Sequence, residues 1–139
     1  MEFISTKLED GKELAEIRAV AMKASLEAVG RFDENRVRTR FLDRFSPEDT
    51  LKILVGGSLV GFYVILDKGD HLYLDHLYIL PAYQGKGLGG KVITKLKVMA
   101  QGSTIKLGAL KGSASNEFYL NHGFRQTHSD EFDIYYQFN

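Results

Sequence analysis

The sequence predicts an α+β domain, sandwich-like in its layering, with a mixed but largely antiparallel central sheet and flanking helices. Three observations predict it. Apolar residues recur at helical spacing in the first forty-odd positions. The period then changes to two across runs joined by Gly56-Gly57 and by Asp67-Lys68-Gly69-Asp70, the pattern of an antiparallel meander. A strand, a helix and a strand then follow as a β-helix-β crossover, and a short helix and a closing hairpin complete the order.

The elements follow in turn. Phe3 to Ser5 reads as a short first strand. From Gly11 to Val29, Leu14, Ile17, Ala21, Ala24 and Ala28 mark one helical face, with Gly30 as the stop. A second helix begins near Asp33, a good N-cap, turns Val37, Phe41 and Phe45 inward, and is ended by Pro47. Leu51 to Val55 and Leu59 to Leu66 form the hairpin, and a long strand runs from His71 to Leu80, closed by Pro81. Val92, Ile93, Leu96, Met99 and Ala100 mark one face of a third helix. Thr104 to Leu110 is a strand, and Ser113 to His122 a short helix stopped by Gly123 in the left-handed conformation. Two last strands, about Phe124 to His128 and Phe132 to Phe138, turn at Ser129-Asp130.

Composition bounds the function. The 139 residues fit one domain, 1–139, large enough to bury a core without staples. A hydrophobic fraction of 44% and a charged fraction of 26% are those of a soluble globular protein. Basic and acidic residues balance at 18 each, which argues against a nucleic-acid partner. Without cysteine there is no disulfide, no thiolate metal site and no covalent cysteine mechanism. Met1 to Asp10 shows no apolar signal region, and no apolar run is long enough for a bilayer, so a cytoplasmic protein with no membrane partner is expected.

Gly85, Gly87 and Gly90 fit G-x-G-x-x-G, a weak pattern when it stands alone. A dinucleotide fold needs an acid about twenty residues on, but Ala109-Leu110-Lys111 stands there. A kinase needs a longer chain and a catalytic loop. A flexible turn is the plain alternative, and three features oppose it. The stretch joins a strand directly to a helix, gathering N–H groups at a positive helix end. Glycines there allow close approach of a bulky anion. The window Leu77 to Asn116 also holds six lysines, Lys86, Lys91, Lys95, Lys97, Lys106 and Lys111, and no Asp or Glu.

Leu77-Tyr78-Ile79-Leu80-Pro81-Ala82-Tyr83-Gln84-Gly85-Lys86-Gly87-Leu88-Gly89 resembles the signature of the GCN5-related N-acetyltransferase (GNAT) family. Asn116, Phe118, Tyr119 and Gly123-Phe124 are similar to that family's second hallmark, departing from it at Glu117. The resemblance covers nearly the whole chain in element order and implies an acyl-CoA N-acyltransferase type of fold. It implies an acetyl-coenzyme A co-substrate and no metal. Cofactor contacts are expected from the backbone of Leu77, Tyr78 and Ile79, from Gln84, Gly85, Lys86, Gly87, Leu88, Gly89 and Gly90, and from Asn116 and Tyr119. The pantetheine arm would pair with Leu77 to Ile79 like an added strand, and an N–H near Ile79 would polarise the thioester carbonyl.

The implied reaction is direct attack of a primary amine, of a small molecule or a protein, on the thioester in a ternary complex. An alkyl amine is neutral only about one time in a thousand at pH 7, a penalty of about 4 kcal/mol, so a proton acceptor is needed. Asp75 stands where many relatives carry a strand-borne Glu, while His76 has the better-suited ordinary pKa and faces the other side of the strand. The base is Asp75, His76 or a chain of water, or both side chains are simply satisfied at the sheet surface. His71 reads as solvated. Tyr119 matches the family's general acid, with Asn116 one turn earlier on the same face, and core packing is the alternative for it. Arg31, Arg36, Arg38 and Arg40 read as a solvated face with Asp33, Glu34 and Asp43, or as acceptor-recognising groups; Tyr135 and Tyr136 should alternate, one packing inward. The expected partners are acetyl-coenzyme A, an amine acceptor and, as an option, a second copy in a homodimer. The alternative function is a non-catalytic acyl-coenzyme A-binding sensor or regulatory module.

Overall fold

The structure, a computed structural model, describes residues 1–139. The strands are β1 Glu2–Ser5, β2 Thr50–Val55, β3 Ser58–Asp67, β4 His71–Ile79, β5 Thr104–Leu110, β6 Arg125–Ser129 and β7 Asp133–Phe138. The helices are α1 Gly11–Ala28, α2 Glu34–Leu42, α3 Leu88–Ala100 and α4 Ser115–Asn121. The seven strands form one mixed sheet in the order β1-β2-β3-β4-β5-β7-β6. Four neighbouring pairs are antiparallel, β1/β2, β2/β3, β5/β7 and β6/β7, and the crossover through α3 makes β4/β5 parallel. The expected α+β class and mixed, largely antiparallel sheet are therefore observed. By their internal contacts the residues form two compact units.

The first unit comprises Met1–Val64 and His76–Lys86. Its hairpin turns at Gly56 and Gly57 with φ of 58° and 82°, the positive values a tight turn between twisted strands requires. Asp33 caps α2 by accepting the Arg36 N–H at 2.9 Å, and Val37 and Phe41 are buried as expected. The helix nevertheless ends at Leu42, before Pro47. Arg44 and Phe45 bond to carbonyls three residues back, which tightens and closes the last turn, and Phe45 is only half-buried. In α1 the inward face also differs from expectation. Leu14 and Ile17 are buried with Gly11, Ala15 and Ala19, whereas Ala24 and Ala28 are exposed. Burial is confined to the first half of α1, and single methyl groups beyond it supply little drive to extend it. Phe41 of α2 packs on Phe62 of β3 with ring centroids 5.1 Å apart, which joins the helical layer to the sheet.

The second unit comprises Ile65–Asp75 and Gly87–Asn139. Strand β5 alternates buried Ile105, Leu107 and Ala109 with exposed Lys106 and Gly108. Helix α3 buries Leu88, Val92, Ile93, Leu96 and Ala100. Met99, expected on that face, is 46% exposed: it lies at the rim of the stripe in the last turn. Helix α4 is shorter than expected, and Gly123 follows it at φ 89° as predicted.

Candidate active site

The segment after β4 forms a short 3-10 turn at Pro81–Tyr83, where the proline supplies the starting dihedral. The Gln84 side chain closes it by donating from Nε2 to the Ile79 carbonyl at 2.8 Å. Gly85 and Gly87 then take φ of 76° and 81°, and a Cβ at either would meet nothing within 4 Å. Their glycines are thus required by backbone conformation and leave open space beside the chain. Gly89 and Gly90 have a different reason. A Cβ on Gly89 would lie 3.0 Å from Phe118 Cζ, and one on Gly90 3.0 Å from His122 Cε1, so both admit the side chains of α4 and the residue after it.

Helix α3 opens at Leu88 with Gly87 as an N-cap that has no side chain to offer. Its first intrahelical bond is Lys91 N–H to the Gly87 carbonyl at 3.2 Å, so the N–H groups of Leu88, Gly89 and Gly90 have no intrahelical acceptor. No acid occupies its first turn, whereas α1, α2 and α4 carry Glu13, Glu34 and Glu117 there. An uncapped, acid-free helix end with open space beside Gly85 and Gly87 fits a pyrophosphate. The lysine-rich window is less uniform in space than in sequence. Lys97 donates to the His122 carbonyl at 2.7 Å and lies over the Phe138 ring. The Asp70 and Asp130 carboxyls are held below the usual range mainly by hydrogen bonds from His71 and Tyr135, to which the charges of Lys106 and Lys111 add a lesser part. Lys86 and Lys91 remain exposed, with the Lys86 ammonium 5.4 Å from the Tyr83 ring centroid.

On β4, alternation puts Asp75 and His76 on opposite faces. Asp75 is exposed, and its charge, after burial, helps raise the pKa of Tyr73. His76 is half-buried against Phe41 and Phe62 of its own unit. Its Nδ1 lies 2.9 Å from the Tyr78 hydroxyl, and that hydroxyl also accepts from Arg18 Nε at 3.3 Å. Arg18 Nη1 donates to the Val37 carbonyl of α2. Arg18 and the Tyr78 side chain were missed by sequence reasoning. The available signal was position: Arg18 follows Leu14 by four residues and so stands on the buried stripe of α1, where a solvated arginine has no reason to be. Parallel pairing of β4 with β5 covers His71–Leu74, ending five residues before Ile79.

On α4, Asn116 and Tyr119 share a face, as expected, and both meet Tyr136 of β7. Asn116 Oδ1 accepts from the Tyr136 hydroxyl at 2.8 Å, while its Nδ2 donates to the carbonyls of Leu110 and Ser113 at 2.8 and 3.0 Å. Tyr119 is 7% exposed, with its ring centroid 5.2 Å from that of Phe118, 5.6 Å from Phe124 and 6.3 Å from Tyr136. Of the two final tyrosines Tyr136 packs inward. Tyr135 stacks on His128 and donates to Asp130 at 2.7 Å, which pushes its pKa up to about 12.

Two further expectations are corrected. His71 is not solvated: its Nδ1 lies 2.6 Å from Asp70 Oδ1, with 19% of the side chain exposed. Arg38 keeps Glu34 beside it, donating to that residue's carbonyl at 2.8 Å, but its principal acidic partner is Glu16 of α1, onto which it forks at 2.5 and 3.1 Å because the two helices pack side by side. That ion pair borders a depression of about 500 Å³ lined also by Lys12, Glu13 and Leu42, which contains none of the residues expected to hold the cofactor or to move protons. No helix is long and apolar enough to cross a membrane.

Comparison with known proteins accords with these features. The chain is 31% identical over 96 residues to the mouse (Mus musculus) thialysine N-epsilon-acetyltransferase, covering 64% of this chain and 56% of that protein. The bovine (Bos taurus) enzyme of the same name is 38% identical over 47 residues, covering 34% of this chain and 28% of that one. The chain thus spans about a quarter to just over half the length of these relatives in the matched regions. Among solved structures, PaiA N-acetyltransferase from Thermoplasma acidophilum in complex with coenzyme A superposes with a TM-score of 0.81 at 18% identity, covering 99% of this chain and 98% of that one. An N-acetyltransferase from Staphylococcus aureus gives 0.73 at 16% identity, covering 99% and 98%. Such identities establish the shared fold. The acetyltransferase (GNAT) domain model matches residues 48–126, from the turn before β2 through the glycine loop and α4 into β6, and the chain accordingly belongs to the GNAT family.

Proposed function

We propose that this protein is an acetyl-coenzyme A-dependent N-acetyltransferase acting on a primary amine by direct attack in a ternary complex, with 1–139 working as a single catalytic domain. The observation that carries the proposal is the start of α3, where three N–H groups without intrahelical acceptors, no side-chain cap, no acid and two open glycines form an anion cradle. Gly85, Gly87, Leu88, Gly89 and Gly90 would hold the pyrophosphate, with Lys86 and Lys91 adding charge. The backbone of Leu77 to Ile79 would pair with the pantetheine arm, and the bound thioester supplies the activated acyl group.

The proton acceptor best supported is His76. In the tautomer with Nδ1 protonated it donates to Tyr78 Oη, which Arg18 fixes in turn, and the lone pair is then on Nε2. Asp75 is the alternative base, directly or through water. Tyr119 would act as proton donor to the leaving thiolate. Asn116, with both amide hydrogens directed to main-chain carbonyls, would set the position of α4.

Two measurements test the reading. Calorimetric titration with coenzyme A should show binding that Gly87→Glu reduces at least about 100-fold, while that variant loses only the roughly 1–2 kcal/mol of left-handed strain. Wild-type affinity in Gly87→Glu would contradict the cradle. Thiol release across a panel of amines should fall about 10²–10⁴-fold in kcat for His76→Gln and little for Asp75→Asn. The opposite ranking would transfer the role to Asp75, and binding without release on any amine, peptide or protein would identify a sensor.

A further inference from the structure

Arg18 is a half-buried guanidinium whose only partners are neutral: the Tyr78 hydroxyl at Nε and the Val37 carbonyl at Nη1. No carboxylate pairs with it, although α1 and α2 carry several. Glu16 is held by Arg38, and Asp33 caps α2. A cation partly withdrawn from water beside Tyr78, whose ring packs on Phe62, is costly without a counter-charge. Two neutral acceptors orient its plane but leave Nη2 and one Nη1 hydrogen for another group.

We propose that Arg18 is the recognition residue for a carboxylate carried by the acceptor, so that the acceptor is an amino acid or a like molecule bearing both an amine and a carboxylate. This deepens the acetyltransferase reading and rests on it for the identity of the amine as acceptor. The planar fork matches a carboxylate by two parallel hydrogen bonds, and a single guanidinium balances a single negative charge. The geometry also links recognition to chemistry. Arg18 of α1 donates to the Tyr78 hydroxyl on β4, and that hydroxyl also meets His76 Nδ1, so the carboxylate anchor and the proposed proton acceptor are joined through one hydroxyl. Seating the carboxylate would set the length over which the amine reaches toward His76.

The test uses the full chain labelled with 15N and titrated with glycine, lysine and phenylalanine, each beside its carboxamide. The Arg18 Nε–H resonance should shift saturably with at least one free amino acid, and the Kd of that acid should be at least tenfold tighter than that of its amide. Arg18→Met should erase the difference, and Arg18→Lys should retain part of it as a point charge. Coenzyme A affinity should be unchanged in both. Equal response to acid and amide, a preference surviving in Arg18→Met, or no response to any of the carboxylates would overturn the assignment. The transferase reading fails separately, by absence of coenzyme A binding or of thiol release; carboxylate selectivity persisting without either would leave the Arg18 site standing in a protein that does not acetylate.

Discussion

At the scale of single residues, the structure separates groups that the sequence presents alike. Tyr63 and Tyr78 are both strand tyrosines, yet only one belongs to a polar network. Tyr63 is fully buried, its hydroxyl has no hydrogen-bond partner, and burial pushes its pKa up to about 12. An unsatisfied buried hydroxyl costs about 1–3 kcal/mol, while the ring itself, edge-on to Phe3 with centroids 5.6 Å apart, contributes packing. Tyr63→Phe should therefore leave stability unchanged or raise it by about 1 kcal/mol in urea denaturation. A loss beyond about 1 kcal/mol would mean that the hydroxyl has a role the static contacts do not show. The glycines separate in the same way. The four stand within one six-residue stretch, but Gly85 and Gly87 answer to backbone conformation and Gly89 and Gly90 to the side chains beside them. No motif carries that distinction, because it depends on Phe118 and His122, more than two dozen residues away.

At the scale of elements, legibility followed locality. The Gly56-Gly57 hairpin, the Asp33 cap, β5 at Thr104–Leu110 and the stop at Gly123 are set by neighbouring residues, and each was readable. The ends of α2, the buried half of α1 and the exposure of Met99 depend on what packs against each helix, and periodicity alone misplaced them. The candidate site divides along the same line. Its contiguous loop was legible, whereas the Arg18–Tyr78–His76 network joins residues sixty positions apart in sequence and was not. Helix α4 is the element whose placement can be tested most directly. Seven residues are too few to hold a helix alone, and Asn116 ties this one to the end of β5 and to Tyr136 of β7. Asn116→Ala should cost about 1–3 kcal/mol by removing the side-chain bonds to the Leu110 and Ser113 carbonyls, which keep only their main-chain donors, and by leaving the Tyr136 hydroxyl without its acceptor. A double-mutant cycle with Tyr136→Phe should return a coupling of about 0.5 kcal/mol or more, and strict additivity would show that the Asn116–Tyr136 bond is not formed in solution.

At the scale of the whole molecule, zero net charge conceals an uneven distribution. The window Leu77 to Asn116 has six lysines and no acid, which in sequence suggests a broad positive field. Folding narrows it. Asp70 and Asp130, from outside the window, lie close enough to Lys106 and Lys111 for their carboxyls to feel the charge, and Lys97 is drawn onto the His122 carbonyl. The cations left beside the glycine loop are Lys86 and Lys91, both exposed and therefore open to screening. Coenzyme A affinity should accordingly weaken severalfold between 50 and 500 mM sodium chloride, over which the screening length falls from roughly 14 to 4 Å. The unfolding midpoint should move little, since the protein's few ion pairs are partly exposed and contribute modestly. Lys86→Ala and Lys91→Ala should each reduce both the affinity and its dependence on salt, whereas Lys97→Ala should act mainly on stability through the lost bond to His122. A salt response carried by Lys97 and untouched by Lys86 or Lys91 would move the anion field away from the loop. The helix end would then hold the pyrophosphate through its N–H groups alone.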